Sequence, residues 1–125
     1  SGLLVDSLDG EPGVLSARYA GEHGDDEKNN DLLLSRMEGK TDRSASFRCA
    51  LALKLPGRDT IIAEGSCPGT ILYERRGTGG FGYDPLFLYE PMNKTYAEMN
   101  EEEKNAVSHR SRAAEMMRSI MEQLL

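Results

Sequence analysis

The sequence predicts an α/β fold that combines β-strands with α-helices, and three regularities carry this prediction. Residues 44–55 alternate apolar and polar side chains, as a half-buried strand does. Residues 56–59 are turn formers and 60–63 continue as a strand, so residues 44–63 predict a β-hairpin central to a twisted sheet. Near the end of the chain, a stripe at helical spacing predicts a helix packed on that sheet, and it consists of Ala113, Met116, Met117, Ile120 and Leu124.

The remaining strands follow from shorter apolar runs. Within the hairpin we expect Phe47, Cys49 and Leu51 to be buried on one side. The residues between Gly65 and Gly69 predict an interruption of the returning strand. Three other strands are expected, at residues 1–5, 70–74 and 85–89.

Two further helices are predicted. Residues 21–30 are polar and indicate a solvated loop, whose acidic run is typical of a helix start. A short helix then covers residues 31–37. A second helix is expected to end at Arg110, and Thr95 followed by Glu98 predicts a capping box at its start.

Composition restricts the partners and the compartment. The 125 residues suit a single domain, and the net charge of −6 disfavours a nucleic-acid polymer while leaving room for one nucleotide. Cys49 and Cys67 lack metal-ligand spacing and indicate reduced, buried thiols. We find no membrane-spanning run and no signal peptide, so we expect a cytoplasmic protein without a membrane partner.

A glycine-rich segment from Arg76 to Pro85 is the first candidate site. Four of the six residues from Gly77 to Gly82 are glycine, the large aromatic residue Phe81 lies among them, and a second one, Tyr83, follows directly. A tight loop between two strands explains the glycines, whereas the flanked aromatic rings favour a loop that contacts a planar ligand. The spacing matches neither the P-loop nor the dinucleotide fingerprint, so phosphate binding is not assigned to it.

A second candidate combines Lys104 with the pair His109-Arg110. Charged residues like these most often lie on a solvated helical face. Alternatively, the N–H donors of the pair recognise a carbonyl oxygen and reject an amino group. The sequence has no zinc-binding spacing and no serine in a nucleophile-elbow motif, so covalent catalysis is not indicated.

Taken together, these motifs resemble the inosine triphosphate pyrophosphatase family over nearly the whole chain. The block from Gly79 to Phe87 is the most specific part. The other matching segments are Ser1-Gly2-Leu3, Val5-Asp6, Pro12-Gly13-Val14, Ser16 to Gly21, Glu64-Gly65 with Gly69, Glu102 to Asn105, and Ser108-His109-Arg110. A related septum-inhibitor nucleotide pyrophosphatase family is a weaker alternative. The block from Gly79 to Phe87 and the motif Ser108-His109-Arg110 argue against it.

The resemblance implies both a fold and an activity. The fold is an elongated, twisted, mixed β-sheet flanked by helices, two-lobed with a cleft, in a homodimer. The activity is Mg²⁺-dependent hydrolysis of the non-standard purine nucleoside triphosphates ITP, dITP and XTP to the monophosphate and pyrophosphate, which cleans the nucleotide pool.

Eight residues are implied to bind the substrate. Phe81 stacks on the purine, and Gly82, Tyr83 and Asp84 complete the base pocket. Lys104 binds the substrate, and His109 and Arg110 lie near position 6 of the base. Ser1 is also implied to contact the substrate.

The resemblance leaves the catalytic base and the metal ligands unassigned in these 125 residues. In the family, the general-base Asp, which also helps to hold Mg²⁺, immediately precedes the residue matched by Ser1. An earlier Glu and a loop that grips the triphosphate also lie upstream, and Asp6 matches a different position. We therefore interpret residues 1–125 as a C-terminal portion of such a domain, without a catalytic or metal residue of its own, and expect no ITP hydrolysis by it alone. The alternative is a naturally short relative that only binds nucleotides or dimerises.

Overall fold

The computed structural model describes residues 1–124 and confirms the α/β class. Within them, one sheet has the strand order β1-β2-β3-β4-β5, and all neighbouring strands pair antiparallel. The strands are β1 (Gly2–Val5), β2 (Ser44–Leu53), β3 (Ile61–Ile71), β4 (Phe87–Tyr89) and β5 (Lys94–Thr95). The helices are α1 (Asp26–Arg36), α2 (Glu101–Val107) and α3 (His109–Leu124), and short 3₁₀ turns lie at Asp6–Leu8, Gly13–Arg18, Asp84–Leu86, Glu90–Met92 and Tyr96–Glu98.

The predicted hairpin is present as β2 and β3, with β3 in the middle of the sheet. Phe47 and Cys49 are buried as expected. Leu51 is only half-buried, so that part of the prediction is wrong. Burial decreases toward the turn of the hairpin because the core does not extend to its tip. Alternation predicts the face on which a side chain lies, but not how far the covering layer reaches.

The predicted interruption of β3 is wrong, because Gly65 and Gly69 lie inside one continuous strand. A Cβ atom at Gly65 would lie 2.3 Å from both the amide nitrogen of Ala113 and the carbonyl oxygen of His109. Glycine here lets the backbone of α3 approach the strand. The strand predicted at 70–74 is therefore only the end of β3, and the one predicted at 85–89 begins at Phe87 after a 3₁₀ turn.

The first helix begins earlier than its apolar pattern predicts. The side chain of Asp25 accepts a hydrogen bond from the Lys28 amide at 3.1 Å and caps α1, so residues 26–30 are helical and not loop. The acidic run does lie in the first turn, where carboxylates favour a helix. The apolar pattern missed this turn because its polar residues pack against loops.

The helix predicted up to Arg110 is divided into separate elements. The capping box of Thr95 and Glu98 is present, but it closes only a 3₁₀ turn. A second capping box, Asn100 with Glu103, starts α2. The chain is extended at Ser108, whose hydroxyl accepts the Ser111 amide at 3.1 Å as α3 begins. This junction turns the start of α3 toward the loop after β3.

An aromatic cluster forms the middle of the core. The Phe47 ring lies 4.5 Å from Phe87, 5.4 Å from Tyr96 and 4.8 Å from His109, measured between centroids. Leu3, Val5, Leu33, Met37, Ile71 and Leu86 are fully buried around it. The helices described by the structure are too short or too polar to cross a membrane.

The C-terminal stripe is confirmed in part. Ala113 and Met117 are buried where α3 packs on β2 and β3. Ile120 is half-buried, and Leu124 is exposed. Met116 is 51% exposed, so its predicted contact with the sheet is wrong. Met116 follows Ala113 by three positions. At this spacing its side chain lies outside the buried face of the helix, which Ala113 and Met117 share.

We predict that Met117→Asp lowers the free energy of unfolding by roughly 2–5 kcal/mol, because it places an unpaired charge in the interface of α3 with the sheet. Met116→Asp is the matched control and is expected to stay within about 0.5 kcal/mol of the wild type. Urea denaturation measures both. Equal effects of the two substitutions would contradict the assigned helix face.

Candidate functional site

A cavity of about 370 Å³ lies where the start of β1, the glycine-rich loop and the junction of α2 with α3 meet. The structure brings all eight predicted substrate-binding residues into its lining: Ser1, Phe81, Gly82, Tyr83, Asp84, Lys104, His109 and Arg110. Ser16, Ala17 and Asp26 line it as well, and the sequence analysis did not assign them a role.

Phe81 offers an aromatic face at this cavity. It is 55% exposed although it is a large apolar residue. The Nζ atom of Lys104 and the Cζ atom of Arg110 each lie 4.8 Å from its ring centroid. An exposed ring flanked by two cations is suited to a planar ligand that carries acceptor atoms at its edge.

Asp84 holds the loop that carries Phe81. Its carboxylate is 4% exposed, and Oδ2 accepts the Lys104 ammonium at 2.7 Å and the Phe81 amide at 3.1 Å. Gly80 passes beside it with φ +71°, and a Cβ atom there would lie 2.1 Å from the same oxygen. The loop therefore requires glycine at this position, and the carboxylate acts here as its internal anchor.

Tyr83 connects the loop to the turn formed by Gly13–Arg18. Its hydroxyl donates a hydrogen bond to the carbonyl oxygen of Ser16 at 2.6 Å. Burial raises the pKa of Tyr83 above its ordinary value. The hydroxyl therefore stays protonated and holds two walls of the cavity together.

Helix α1 also contacts the loop, through residues that the sequence analysis missed. The Gly82 amide donates to Asp26 at 2.9 Å, and the Asn30 amide group donates to the Gly82 carbonyl oxygen at 2.9 Å. The spacing of Asp26 and Asn30 by four positions could have indicated a shared helix face. The acidic composition around them pointed to solvent instead.

His109 lies at the back of the cavity as a neutral imidazole. Its ring stacks on Phe47, and Nδ1 is buried without a hydrogen-bond partner within residues 1–124. The pKa of His109 is lowered to about 4, chiefly by burial, and the positive charges of Arg110 and Lys104 contribute to the same shift. A neutral imidazole offers one donor and one acceptor.

Arg110 is exposed next to His109 and reaches the start of β1. Its Nε atom donates to the Ser1 hydroxyl at 3.3 Å. It forms no ion pair with an acidic side chain of the part that the structure describes. Its remaining guanidinium donors are therefore available to a ligand.

The described residues do not form a metal site on their own. No three side chains of His, Cys, Asp or Glu between residues 1 and 124 lie together in a way that could hold a metal ion. The carboxylate of Asp84 is engaged by Lys104.

A sequence profile of the Ham1 family matches residues 1–120. The chain belongs to this family. The dITP/XTP pyrophosphatases of Bacillus licheniformis and Bacillus subtilis share 52% and 48% identity with this Ham1 chain over 98% of its length, and it spans 64% and 63% of theirs. The Ham1 protein of Staphylococcus aureus has 40% identity and a TM-score of 0.96 over 99% of this chain and 65% of that structure. The resemblance found in the sequence is confirmed.

The buried His109 predicts a pH dependence for this Ham1 chain. Its folded pKa of about 4 lies below its ordinary value of 6.5. Between these values the unfolded chain binds a proton that the folded imidazole does not, so stability falls as the pH falls. We expect this group to remove roughly 2 kcal/mol from the free energy of unfolding between pH 6.5 and 4.5.

Denaturation of the wild type and of His109→Gln at both pH values measures this contribution. The variant is expected to show the smaller pH dependence, because glutamine does not titrate. Parallel pH profiles of the two proteins would contradict a neutral, buried imidazole.

Proposed function

We propose that this Ham1 chain supplies the purine-binding part of an enzyme that hydrolyses non-standard purine nucleoside triphosphates, ITP, dITP and XTP, to the monophosphate and pyrophosphate. The observation that carries the proposal is the cavity itself. It joins the exposed Phe81 ring, the free donors of Arg110 and the neutral His109. The names of the relatives, dITP/XTP pyrophosphatases, point to the same substrate class.

In this proposal the base stacks on Phe81 and presents its 6-keto oxygen to Arg110. Hypoxanthine and xanthine offer an acceptor at that position, whereas adenine offers an amino group. The bound base covers the otherwise exposed Arg110, and a donor that is thereby buried against another donor costs about 1–3 kcal/mol, which supports discrimination against adenine. Guanine also has a 6-keto oxygen, so this contact alone does not exclude it.

The charge of the cavity favours the base over the phosphates. Its lining includes three acidic side chains, of Asp26, Asp84 and Glu101, and two basic ones, of Lys104 and Arg110. A lining with this balance suits an uncharged purine and does not neutralise a triphosphate. We therefore assign the phosphate-binding groups of the proposed enzyme to surfaces outside this cavity.

The hydrolysis adds water at the α-phosphorus and breaks the bond from that atom to the pyrophosphate oxygen. Mg²⁺, which the family resemblance implies, supplies charge neutralisation on the phosphates when bound. The described residues do not make a site for it, so no step is assigned to it here. This chain's part is to orient the base and, through it, the nucleotide.

Two further statements belong to this proposal. The homodimer follows from the resemblance, and light scattering after size-exclusion chromatography measures it. A cytoplasmic location follows from the free, buried Cys49 and Cys67, which are typical of a reducing compartment.

We predict that Phe81→Ala weakens binding of inosine monophosphate by about 1–3 kcal/mol, the usual contribution of one base-stacking contact. Isothermal titration calorimetry measures the affinity. Tyr73→Ala is the matched control, because Tyr73 is also an exposed aromatic residue but does not line the cavity. Equal losses in the two variants would argue against stacking on Phe81.

We also predict that Arg110→Ala reduces the preference for inosine over adenosine monophosphate by roughly 5–100-fold, since the donor that reads the 6-keto oxygen is lost. Preserved selectivity would show that Arg110 reads something else. Release of pyrophosphate from ITP with Mg²⁺ then separates an enzyme from a relative that only binds nucleotides. It is measured on residues 1–125 and on a version extended upstream through the Asp that the resemblance places before Ser1, and release is expected only from the extended version.

A further inference from the structure

We propose that α1 is a positioning element for the proposed base-binding loop, and that Asp26 and Asn30 set the place of Phe81 by holding Gly82. Its binding test rests on the proposed function, while its exchange test does not. Neither residue is among the eight candidate substrate contacts. Asp26 does line the cavity, but both residues act through the backbone of Gly82 in this proposal.

The two hydrogen bonds take both backbone polar groups of one residue. Asp26 Oδ2 accepts from the Gly82 amide at 2.9 Å, and Asn30 Nδ2 donates to the Gly82 carbonyl oxygen at 2.9 Å. The amide belongs to the peptide plane shared with Phe81, and the carbonyl belongs to the plane shared with Tyr83. Because each peptide unit is rigid, the two contacts orient both planes and with them the Cα atoms of both aromatic residues.

A single helix makes both contacts, so they act together. Asp26 and Asn30 are four positions apart and lie on one face of α1. The helix is held in place by the fully buried Leu33 and by the ion pair of Asp31 with Arg75 at 2.8 Å. The helix thereby fixes the position of this glycine-rich loop relative to the core.

The neighbouring residue extends the same role to a second wall of the cavity. Asn29 donates to the Ala17 carbonyl oxygen at 3.2 Å and accepts from the Ala20 amide at 2.9 Å. Ala17 lines the cavity. One turn of α1 thus holds two cavity walls that are distant from each other in sequence.

Asn30 makes this contact at a cost to the fold. It is 1% exposed, and its Oδ1 atom is buried without a hydrogen-bond partner in the described structure. An unpaired buried acceptor is unfavourable, so stability alone favours an apolar side chain of similar size. The donor to Gly82 is the feature that an apolar side chain does not reproduce.

The test compares Asn30→Leu, Asp26→Ala and Asp26→Asn with Ser35→Ala, a control at an exposed position of the same helix. We expect Asn30→Leu and Asp26→Ala to weaken inosine monophosphate binding roughly 5–30-fold, the effect of one lost hydrogen bond. Asn30→Leu is expected to do so without a lower melting temperature. Asp26→Asn keeps an acceptor oxygen and is expected to bind within about twofold of the wild type, as is Ser35→Ala. Unchanged affinity in Asn30→Leu and Asp26→Ala would overturn the proposal.

Amide hydrogen exchange of Gly82 in the ligand-free protein tests the hydrogen bond independently of nucleotides. We expect exchange at this amide to be at least about tenfold faster in Asp26→Ala than in the wild type and in Ser35→Ala. If the wild type binds no inosine nucleotide, the proposed function fails, and hydrogen exchange alone then tests the positioning role of Asp26. Unchanged exchange in Asp26→Ala would then overturn the positioning role.

Discussion

The ion pair between Asp84 and Lys104 is the contact on which the candidate site depends. A carboxylate that is 4% exposed is tolerated only with partners, and Lys104 at 2.7 Å and the Phe81 amide at 3.1 Å provide them. The pair joins the glycine-rich loop to α2, and it places the ammonium 4.8 Å from the centre of the Phe81 ring. The same two charges therefore hold the loop and shape the surface on which a base is proposed to stack.

Contacts between distant parts of the chain complete the cavity before any ligand is present. The Tyr83 hydroxyl reaches Ser16 across 67 positions, and Arg110 reaches Ser1 across 109. The first of these contacts holds the Gly13–Arg18 turn, which has no buried residue of its own. A site ordered by the fold in this way loses less conformational entropy when a ligand binds, which favours affinity and discrimination together.

The parts of the fold that the sequence predicts are those where local pattern and tertiary packing agree. Alternation located β2 because one of its faces packs on the core along much of its length. The local pattern failed at Gly65, where glycine permits the close approach of α3 and does not mark a turn. A few neighbouring residues of sequence carry no information about the backbone of a distant helix. The site residues were predicted from a family pattern. The role of Asn30 was not predicted, because its hydrogen-bond acceptor is the backbone oxygen of Gly82, 52 positions away.

The charges around the cavity bear on what the proposed enzyme binds at this site. The net charge of −6 disfavours a nucleic-acid polymer, and the ammonium of Lys104 is already compensated by Asp84. Arg110 is then the cationic side chain of the lining that keeps donors for a ligand, and the neutral His109 beside it adds no charge. One directed guanidinium next to an aromatic face is enough to read the edge of an uncharged base, but not to balance a triphosphate. Recognition of the base and neutralisation of the phosphates are therefore separate tasks in the proposed enzyme, and the charges that line this cavity suit the first.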